Sequence, residues 1–125
     1  MDSYSHKINQ EKQFLLLTVV GFMRDDDFKS MANESLRLMK EHRLTKCLVD
    51  TSEMQVMTME SMSWIQTDWY PNALALGLTK IAFITPKSAF GEVSVKSTNE
   101  KIEQESVLEI AYFTAIQEAE AWLTS

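Results

Sequence analysis

An acid and two hydroxyl side chains follow one of the most apolar stretches of the chain. Asp50, Thr51 and Ser52 come directly after residues 46–49, which read Lys-Cys-Leu-Val. A carboxylate beside hydroxyls could serve as the base of a nucleophile, or these groups could bond to backbone groups where a strand ends. Local bonding is the favoured interpretation because Asp and Ser commonly satisfy the backbone at strand exits. Catalysis remains the alternative.

Other residues with catalytic chemistry are sparse in this sequence. Neither His6 nor His42 has a Cys or second His at ligand spacing, and Cys47 is the single cysteine. Cys47 lies in an apolar run without a neighbouring His, which predicts a buried small hydrophobe. A glycine-rich phosphate loop is also missing from the sequence. We predict no enzyme, no cofactor and no metal site, with a hydrolase as the remaining catalytic hypothesis.

The stretch from Met54 to Tyr70 is rich in methionine and aromatic residues. Methionine is flexible, and aromatic side chains with a polar tip suit interfaces, so this stretch could bind a protein or a small hydrophobic ligand. Most of its side chains must still pack in the core, and Trp64 is the best surface candidate because it lies off the apolar helix face. The candidate binding residues are Asp50, Ser52, Met54, Met57, Thr58, Glu60, Ser61, Trp64, Trp69 and Tyr70.

The composition limits the possible partners and the number of domains. A chain of 125 residues predicts one domain, residues 1–125. The net charge of -6 opposes the phosphate backbone, so nucleic acid is a poor partner. No apolar run approaches the roughly 20 residues of a membrane span, and the first residues lack a signal-peptide pattern. We therefore predict a cytoplasmic protein without a membrane span.

Apolar runs predict five strands, and the second of them should be covered on both faces because its residues do not alternate. The first two strands should form an antiparallel hairpin with the first strand at the edge. The third strand should end at Asp50 and lead into a loop of residues 51–57. The predicted strands are residues 4–8, 14–20, 46–50, 80–84 and 107–113.

Helical spacing separates these strands and predicts four helices. The run Asp25, Asp26 and Asp27 should cap the first helix and favour its dipole, rather than bind a metal. Thr58 should cap a second helix that runs to residue 69 and breaks or turns at Pro71. Residues 89–105 should form the third helix, and a capping box at 114–117 should start the last. The order β-β-α-β-α-β-α-β-α is that of an α/β fold with right-handed crossovers.

This order of elements, together with the residues at their ends, resembles the SpoIIAA-like branch of the STAS/SEC14-like domains. The likeness covers nearly the whole chain, although each piece is degenerate and the specificity lies in the order and spacing of the pieces. The residues that carry it are Gly21-Phe22-Met23, Leu48-Val49-Asp50, Trp64-Ile65, Trp69-Tyr70-Pro71-Asn72-Ala73, residues 77–83, Phe90-Gly91, Tyr112-Phe113, Ala119 and Ala121-Trp122-Leu123.

The resemblance implies a mixed sheet of four or five strands with about four helices packed on it, and a regulatory interaction module. In the anti-sigma-factor antagonists of this family, a partner binds around the loop after the third strand, and a phosphorylated serine on the next helix releases it. Counted from Asp50, the Asp-Ser-Ser-Gly stretch of the antagonists falls on residues 58–61, Thr-Met-Glu-Ser. Glu60 therefore stands where the phosphoserine would be, either as a helix-dipole partner or as a permanent charge.

Two function hypotheses follow from these residues and this resemblance. The first is a non-catalytic module that binds a protein partner, or a second copy as a homodimer, through the loop and helix after the third strand. The second is a carrier or sensor of a small apolar ligand, related to SEC14-type lipid carriers. The first is favoured because a cavity for a whole lipid would remove much of the core of so small a domain.

Overall fold

The computed structural model describes residues 4–125 and contains one mixed five-stranded sheet. In chain order the strands are β1 Tyr4–Asn9, β2 Phe14–Gly21, β3 Lys46–Met54, β4 Lys80–Ile84 and β5 Glu109–Phe113. They keep that order across the sheet, with β1 antiparallel to β2 and each later strand parallel to the preceding one. The predicted fold class and the edge hairpin are confirmed, while β5 begins later than predicted.

The helices alternate with the parallel strands as predicted. Residues Ile65–Trp69 form a π-helical turn that joins α2 directly to α3, so α2, the π turn and α3 make one continuous helix. The predicted order of strands and helices is therefore confirmed. The helical segments are α1 Asp25–His42, α2 Met59–Trp64, α3 Tyr70–Ala75, α4 Ala89–Glu105 and α5 Ile116–Leu123.

The central strands are buried on both faces of the sheet. Leu17, Val49 and Phe83 belong to the larger core, which includes residues of α1, the π turn and α4. Leu48 and Ala82 point to the opposite face and belong to a smaller core with α5. Burial on both faces explains why these strands read as continuous apolar runs rather than as alternating ones.

Strand β3 extends further than the sequence predicted. The apolar run ends at Asp50, and residues 51–57 were expected to form a loop, but pairing with β2 continues to Met54. The ladder between β3 and β4 ends at the pair Asp50–Ile84, so the added residues run beside β2. An irregular register between Thr18 and Val20 accommodates them. The β3–α2 loop is therefore only residues 55–58.

The helix after β3 passes through Pro71, where the sequence predicted that it breaks or turns. A proline lacks an N–H and clashes with the carbonyl of the preceding turn. The helix widens just before it, because the Tyr70 N–H bonds to the Ile65 carbonyl. Pro71 then occupies the first turn of α3, where a missing N–H costs little, and Asn72 Nδ2 donates to the Asp68 carbonyl at 2.9 Å. The π turn replaces the predicted break.

Three predicted helix starts have different outcomes. Thr58 caps α2 as predicted, because its hydroxyl accepts a backbone N–H three residues later. The cap of α1 is Arg24, and Asp25 falls in the first helical turn instead. The cap of α5 is Ala115 rather than Thr114, without a capping side-chain bond. The displaced Asp25 carboxylate is thereby free to bond to another helix.

Candidate functional site

The segments that leave β2, β3 and β4 meet at one end of the sheet. The backbone N–H of Gln55 donates to the carbonyl of Gly21 at 3.0 Å, which joins the β3–α2 loop to the end of β2. The N–H of Lys87 donates to the carbonyl of Ser52 at 3.2 Å, which joins the segment after β4 to β3. Ligands of open α/β sheets bind at this carboxyl end of the strands. The predicted binding stretch begins there.

Asp50 and Thr51 at the end of β3 bond to backbone groups. Asp50 Oδ1 accepts the backbone N–H of Ser52 at 3.0 Å, and Thr51 Oγ1 donates to the Ile84 carbonyl at 2.5 Å. Thr51 is buried, and its hydroxyl satisfies the carbonyl at the end of β4. The Asp50 bond is local, as expected for a strand exit, whereas the Thr51 bond crosses to β4 and ties the two strand ends together.

A carboxylate of α1 and two hydroxyls at the start of α2 form what we call the Asp25 cluster. Asp25 Oδ1 accepts hydrogen bonds from Thr58 Oγ1 and, at 2.7 Å, from Ser61 Oγ. Thr58 Oγ1 in turn accepts the backbone N–H of Ser61 at 3.0 Å. Ser61 is buried, so its hydroxyl depends on this acceptor. The cluster fixes the starts of α1 and α2 against each other.

Glu60 stands on the exposed side of the Asp25 cluster. Its Oε2 lies 3.3 Å from Lys29 Nζ, a second link between α1 and α2. An exposed pair of this kind adds little stability, but a carboxylate in the first turn of a helix is favoured by the dipole. Glu60 is thus held as an outward-facing negative charge beside two engaged hydroxyls.

The Asp25 cluster predicts an acid-sensitive contribution to stability. The hydrogen bonds from Thr58 and then Ser61 lower the pKa of Asp25 from its ordinary value of 3.8. A lowered pKa in the folded state stabilises the protein above the unfolded pKa, and the effect disappears as the pH falls through the folded pKa. Asp25→Asn should therefore lower the stability at neutral pH, and the stability of this variant should fall less than that of the wild type as the pH drops below about 5.

Urea unfolding of the wild type and Asp25→Asn across this pH range measures the effect. Asp27→Asn is the matched control, because Asp27 shares the first turn of α1 and makes no side-chain hydrogen bond within residues 4–125. Equal acid dependence of the two variants would contradict the assigned role of Asp25.

Exposed apolar side chains concentrate at the same end of the sheet. Of the eight large hydrophobic side chains exposed within residues 4–125, six lie at the end of β2, in the β3–α2 loop or in the first turns of α2 and α4. Among these six, Met59 at 85% and Phe90 at 78% are the most exposed. Exposed apolar groups that share one region mark interaction sites more reliably than scattered ones. This apolar rim consists of Val20, Phe22, Val56, Met59, Phe90 and Val93.

Phe22 and Phe90 are not among the binding residues predicted from the sequence. Each stands beside a glycine where an element begins or ends, Phe22 after Gly21 at the end of β2 and Phe90 before Gly91 in the first turn of α4. An aromatic side chain at such a boundary has no place in the periodic core pattern of a neighbouring strand or helix. That position is the signal that could have identified both residues as surface candidates.

Several predicted binding residues lie inside the protein rather than on its surface. Met54, Trp69 and Tyr70 are buried, and Trp64 is half-buried against the larger core. The Trp69 Nε1–H donates to the Ala32 carbonyl of α1 at 2.8 Å. A partner at the surface therefore reaches Met59 and Glu60 directly, whereas Trp69 and Tyr70 shape the interior.

That interior contains a cavity of about 70 Å³ between the sheet, α1, the π turn and α4. Four of the predicted binding residues line this central cavity, namely Met54, Met57, Trp69 and Tyr70. Native interiors contain few voids larger than a water molecule. At about 24 cal/mol per Å³, an empty space of this size costs roughly 1.5 to 2 kcal/mol of stability.

A chain of hydrogen bonds leads from the cavity wall to the surface. Tyr70 OH donates to Asn99 Oδ1 at 2.6 Å, Asn99 Nδ2 donates to Tyr112 OH at 3.3 Å, and Tyr112 OH donates to Glu103 Oε1 at 2.7 Å. Burial raises the pKa of Tyr70, so its hydroxyl stays protonated as a donor. Every buried side-chain N or O atom in the described part of the chain has a partner. The cavity wall is therefore apolar in effect.

Residues 4–125 contain neither a cluster of metal ligands nor a membrane-spanning helix. This part of the chain brings no three His, Cys, Asp or Glu side chains together in a way that could hold a metal ion. Over the same residues, no helix is both long and apolar enough to cross a membrane.

Comparison with known proteins gives one family match. The family model described as SpoIIAA-like matches residues 14–124. No curated protein sequence gives a significant match.

Solved structures with the same fold have very different sequences. A candidate anti-sigma factor antagonist from Thermotoga maritima has a TM-score of 0.66 at 13% identity, with 98% of this chain and 95% of that chain covered. An uncharacterized protein from Shewanella loihica with a SpoIIAA-like fold has a TM-score of 0.57 at 17% identity, with 96% and 91% covered. The unphosphorylated anti-sigma factor antagonist SpoIIAA has a TM-score of 0.59 at 9% identity, with 92% and 91% covered. These likenesses show a shared fold.

Proposed function

Because the chain belongs to the SpoIIAA-like family, we propose that it is a non-catalytic regulatory module that binds a protein partner. Similar structures that are described as anti-sigma factor antagonists support this class of function. The binding surface comprises the β3–α2 loop, the start of α2 and the neighbouring start of α4. The partner is a different protein or a second copy of this chain, and binding takes place in the cytoplasm.

The apolar rim is the observation that carries this proposal. Met59 and Val56 belong to the loop and helix after β3, and Phe90 adds an aromatic side chain from α4. Apolar and aromatic anchors at the centre of an interface supply most of its binding energy. We therefore expect the partner to present apolar side chains to the rim and polar groups to its edge, where the Lys29–Glu60 pair lies.

The geometry around Glu60 supports a constitutive surface rather than a phosphoserine switch. Thr58 and Ser61, the two nearby hydroxyls, both donate to Asp25, and Ser61 is buried. A phosphate on either oxygen would break the Asp25 cluster and face its carboxylate. Glu60 already supplies a negative charge at the corresponding place and pairs with Lys29.

Carriage of a whole lipid is the weaker alternative. Ligand pockets for drug-sized molecules measure roughly 300 to 1,000 Å³. The central cavity of about 70 Å³ is far smaller than that. A lipid chain would have to displace core side chains of a small domain, so the carrier hypothesis has no support in the size of the cavity.

The proposal is tested by comparing partners captured by three forms of the protein. Met59→Lys combined with Phe90→Lys places charge in the rim, and Val107→Lys is the matched control, because Val107 is 96% exposed and lies before β5 at the other end of the sheet. Loss of two anchors should weaken partner binding by roughly 30-fold or more. Quantitative affinity purification followed by titration of the captured partner measures the change.

Self-association is followed for the same proteins by light scattering. A complex or a dimer formed by the wild type and Val107→Lys, but lost in the double variant, is the expected result. Capture of the same partner with the same affinity by all three proteins would exclude the apolar rim as the binding surface. Unchanged thermal melting of the double variant serves to show that its fold is intact.

A further inference from the structure

We propose that the central cavity is a binding site for a small, uncharged, apolar molecule that enters beside Met57. This site differs from the apolar rim and does not depend on the proposed protein partner. The cavity lies in the middle of the larger core, where three helical segments cover the sheet. A space of about 70 Å³ exceeds an ordinary packing defect, and apolar cavities of this kind stay dry and accept apolar guests.

The bonding of the polar residues in the wall determines the class of ligand. Tyr70 and Asn99 bond to each other, and Thr98 Oγ1 donates to the Ser94 carbonyl at 2.6 Å. Thr51 is likewise committed to the Ile84 carbonyl. A ligand acceptor would have to break one of these bonds or stay unpaired, because each hydroxyl hydrogen is already donated, and the space itself is bordered almost wholly by apolar atoms. The site therefore selects a hydrocarbon-like molecule.

Met57 separates the cavity from solvent. Met57 is half-buried, whereas the other residues that line the cavity in the described part of the chain are buried. Its side chain also lines a second pocket of about 10 Å³ under the β3–α2 loop, which shares Val19, Phe28 and Met54 with the cavity. Met57 packs against the edge of the larger core, and its sulfur makes one weak polar contact, 4.0 Å from Thr98 Oγ1. Rotation of one unbranched side chain therefore connects the cavity to the surface pocket.

The volume of the cavity and the flexible methionines in its wall limit the size of a ligand. An engineered apolar cavity of about 150 Å³ binds benzene, and the cavity here has about half that volume. Met31, Met54 and Met57 line it, and methionine side chains adapt their rotamers to fill or vacate irregular space. A single ring or a short branched hydrocarbon is thus the upper limit for this site.

The test uses benzene as the probe and the methionine methyl groups as reporters. In protein labelled with ¹³C at the methionine methyls, benzene should shift the NMR signals of Met31, Met54 and Met57 in a saturable manner. Two methionines outside the lining are internal controls, Met39 buried in the core and Met59 on the surface. Xenon under pressure is recorded in parallel as a probe of empty space.

A matched pair of variants on α4 localises the binding. Val95 lines the cavity, whereas Val93 on the same helix is 62% exposed. Val95→Phe should abolish the benzene-induced shifts, and Val93→Phe should leave them unchanged. Where Val95→Phe does not give a folded spectrum, Val95→Leu should weaken benzene binding severalfold.

Three results would overturn the proposal. The first is xenon-induced shifts at the cavity methionines without benzene-induced ones, which identifies a packing void. The second is an equal benzene response at Met59 and at Met31. The third is wild-type benzene affinity in the Val95 variants. Met57→Ala should instead accelerate benzene exchange, and unchanged exchange would exclude Met57 as the gate.

Discussion

Replacing Trp69 with alanine is expected to lower the free energy of unfolding by about 3 to 5 kcal/mol. The side chain is 5% exposed, and its ring forms part of the wall of the central cavity. Its indole N–H donates to the Ala32 carbonyl at 2.8 Å and so ties the π turn to α1. The substitution removes a large apolar surface and enlarges a space that is already incompletely filled.

Urea unfolding followed by circular dichroism measures this loss without relying on tryptophan emission. Trp69→Phe keeps a ring but removes the donor, and should cost a smaller amount, about 1 kcal/mol for the hydrogen bond in addition to the change in packing. Trp64→Ala is the matched control one turn earlier, because Trp64 is half-buried. If Trp64→Ala and Trp69→Ala lowered the free energy of unfolding by the same amount, the central packing role assigned to Trp69 would be wrong.

Gly91→Ala should destabilise the protein by about 1 to 3 kcal/mol, against the usual helix preference. A Cβ at this position would lie 2.9 Å from Pro86 Cβ and 3.2 Å from the Met54 carbonyl oxygen. Neither the proline ring nor the β3 backbone can move easily. In an exposed helix interior, the same change normally stabilises by roughly 0.5 to 1 kcal/mol.

Ser97→Ala on the exposed side of α4 is the matched control for helix preference. It should leave the unfolding free energy within about 0.5 kcal/mol of the wild type. A Gly91→Ala protein more stable than the wild type would show that α4 does not need its close approach to β3. Partner capture by the variant would then also be unchanged, since Phe90 would keep its position in the rim.

The sequence was most informative where burial is two-sided or periodic. The apolar runs of β2 and β4 identify strands covered on both faces, and the 3.6-residue spacing after Asp25 identifies α1. Both signals, the continuous apolar run and the helical spacing, depend only on the order of apolar and polar residues along the chain. The β3 strand shows where they stop, because residues 51–54 are polar or mixed and are strand only through their pairing with β2.

Predictions from short sequence motifs were wrong where the surrounding structure changes the energetic cost of the motif. The rule that Pro71 breaks a helix assumes regular α geometry before it, and the π turn removes that assumption. The sequence predicts Asp25 as a helix cap because the capping rule takes account only of residues in the same helix. Its partners, Thr58 and Ser61, are 33 and 36 residues away, so their contact appears only in the folded chain.

Some features of the candidate site follow from nearby residues in the sequence, and others depend on contacts between distant parts of the chain. Met54, Met57, Trp69 and Tyr70 were identified from composition, but their position around a cavity depends on how α1 and α4 cover the sheet. Conversely, the exposure of Phe22 and Phe90 depends on how the strands end. Residue types indicated the region, and packing separates its inner wall from its outer rim.

The order of the strands across the sheet bears on how the chain folds during synthesis. Each strand pairs with the one that precedes it in the chain, so each ladder closes a connection of limited length. Only the β1–β2 hairpin closes a short connection, and each parallel ladder has to close a helical crossover, which slows its formation. The sheet can still grow strand by strand as the ribosome releases the chain. The face that holds Leu48 and Ala82 is covered by α5, the last element. We expect a nascent chain to expose that face to chaperones until α5 has been made.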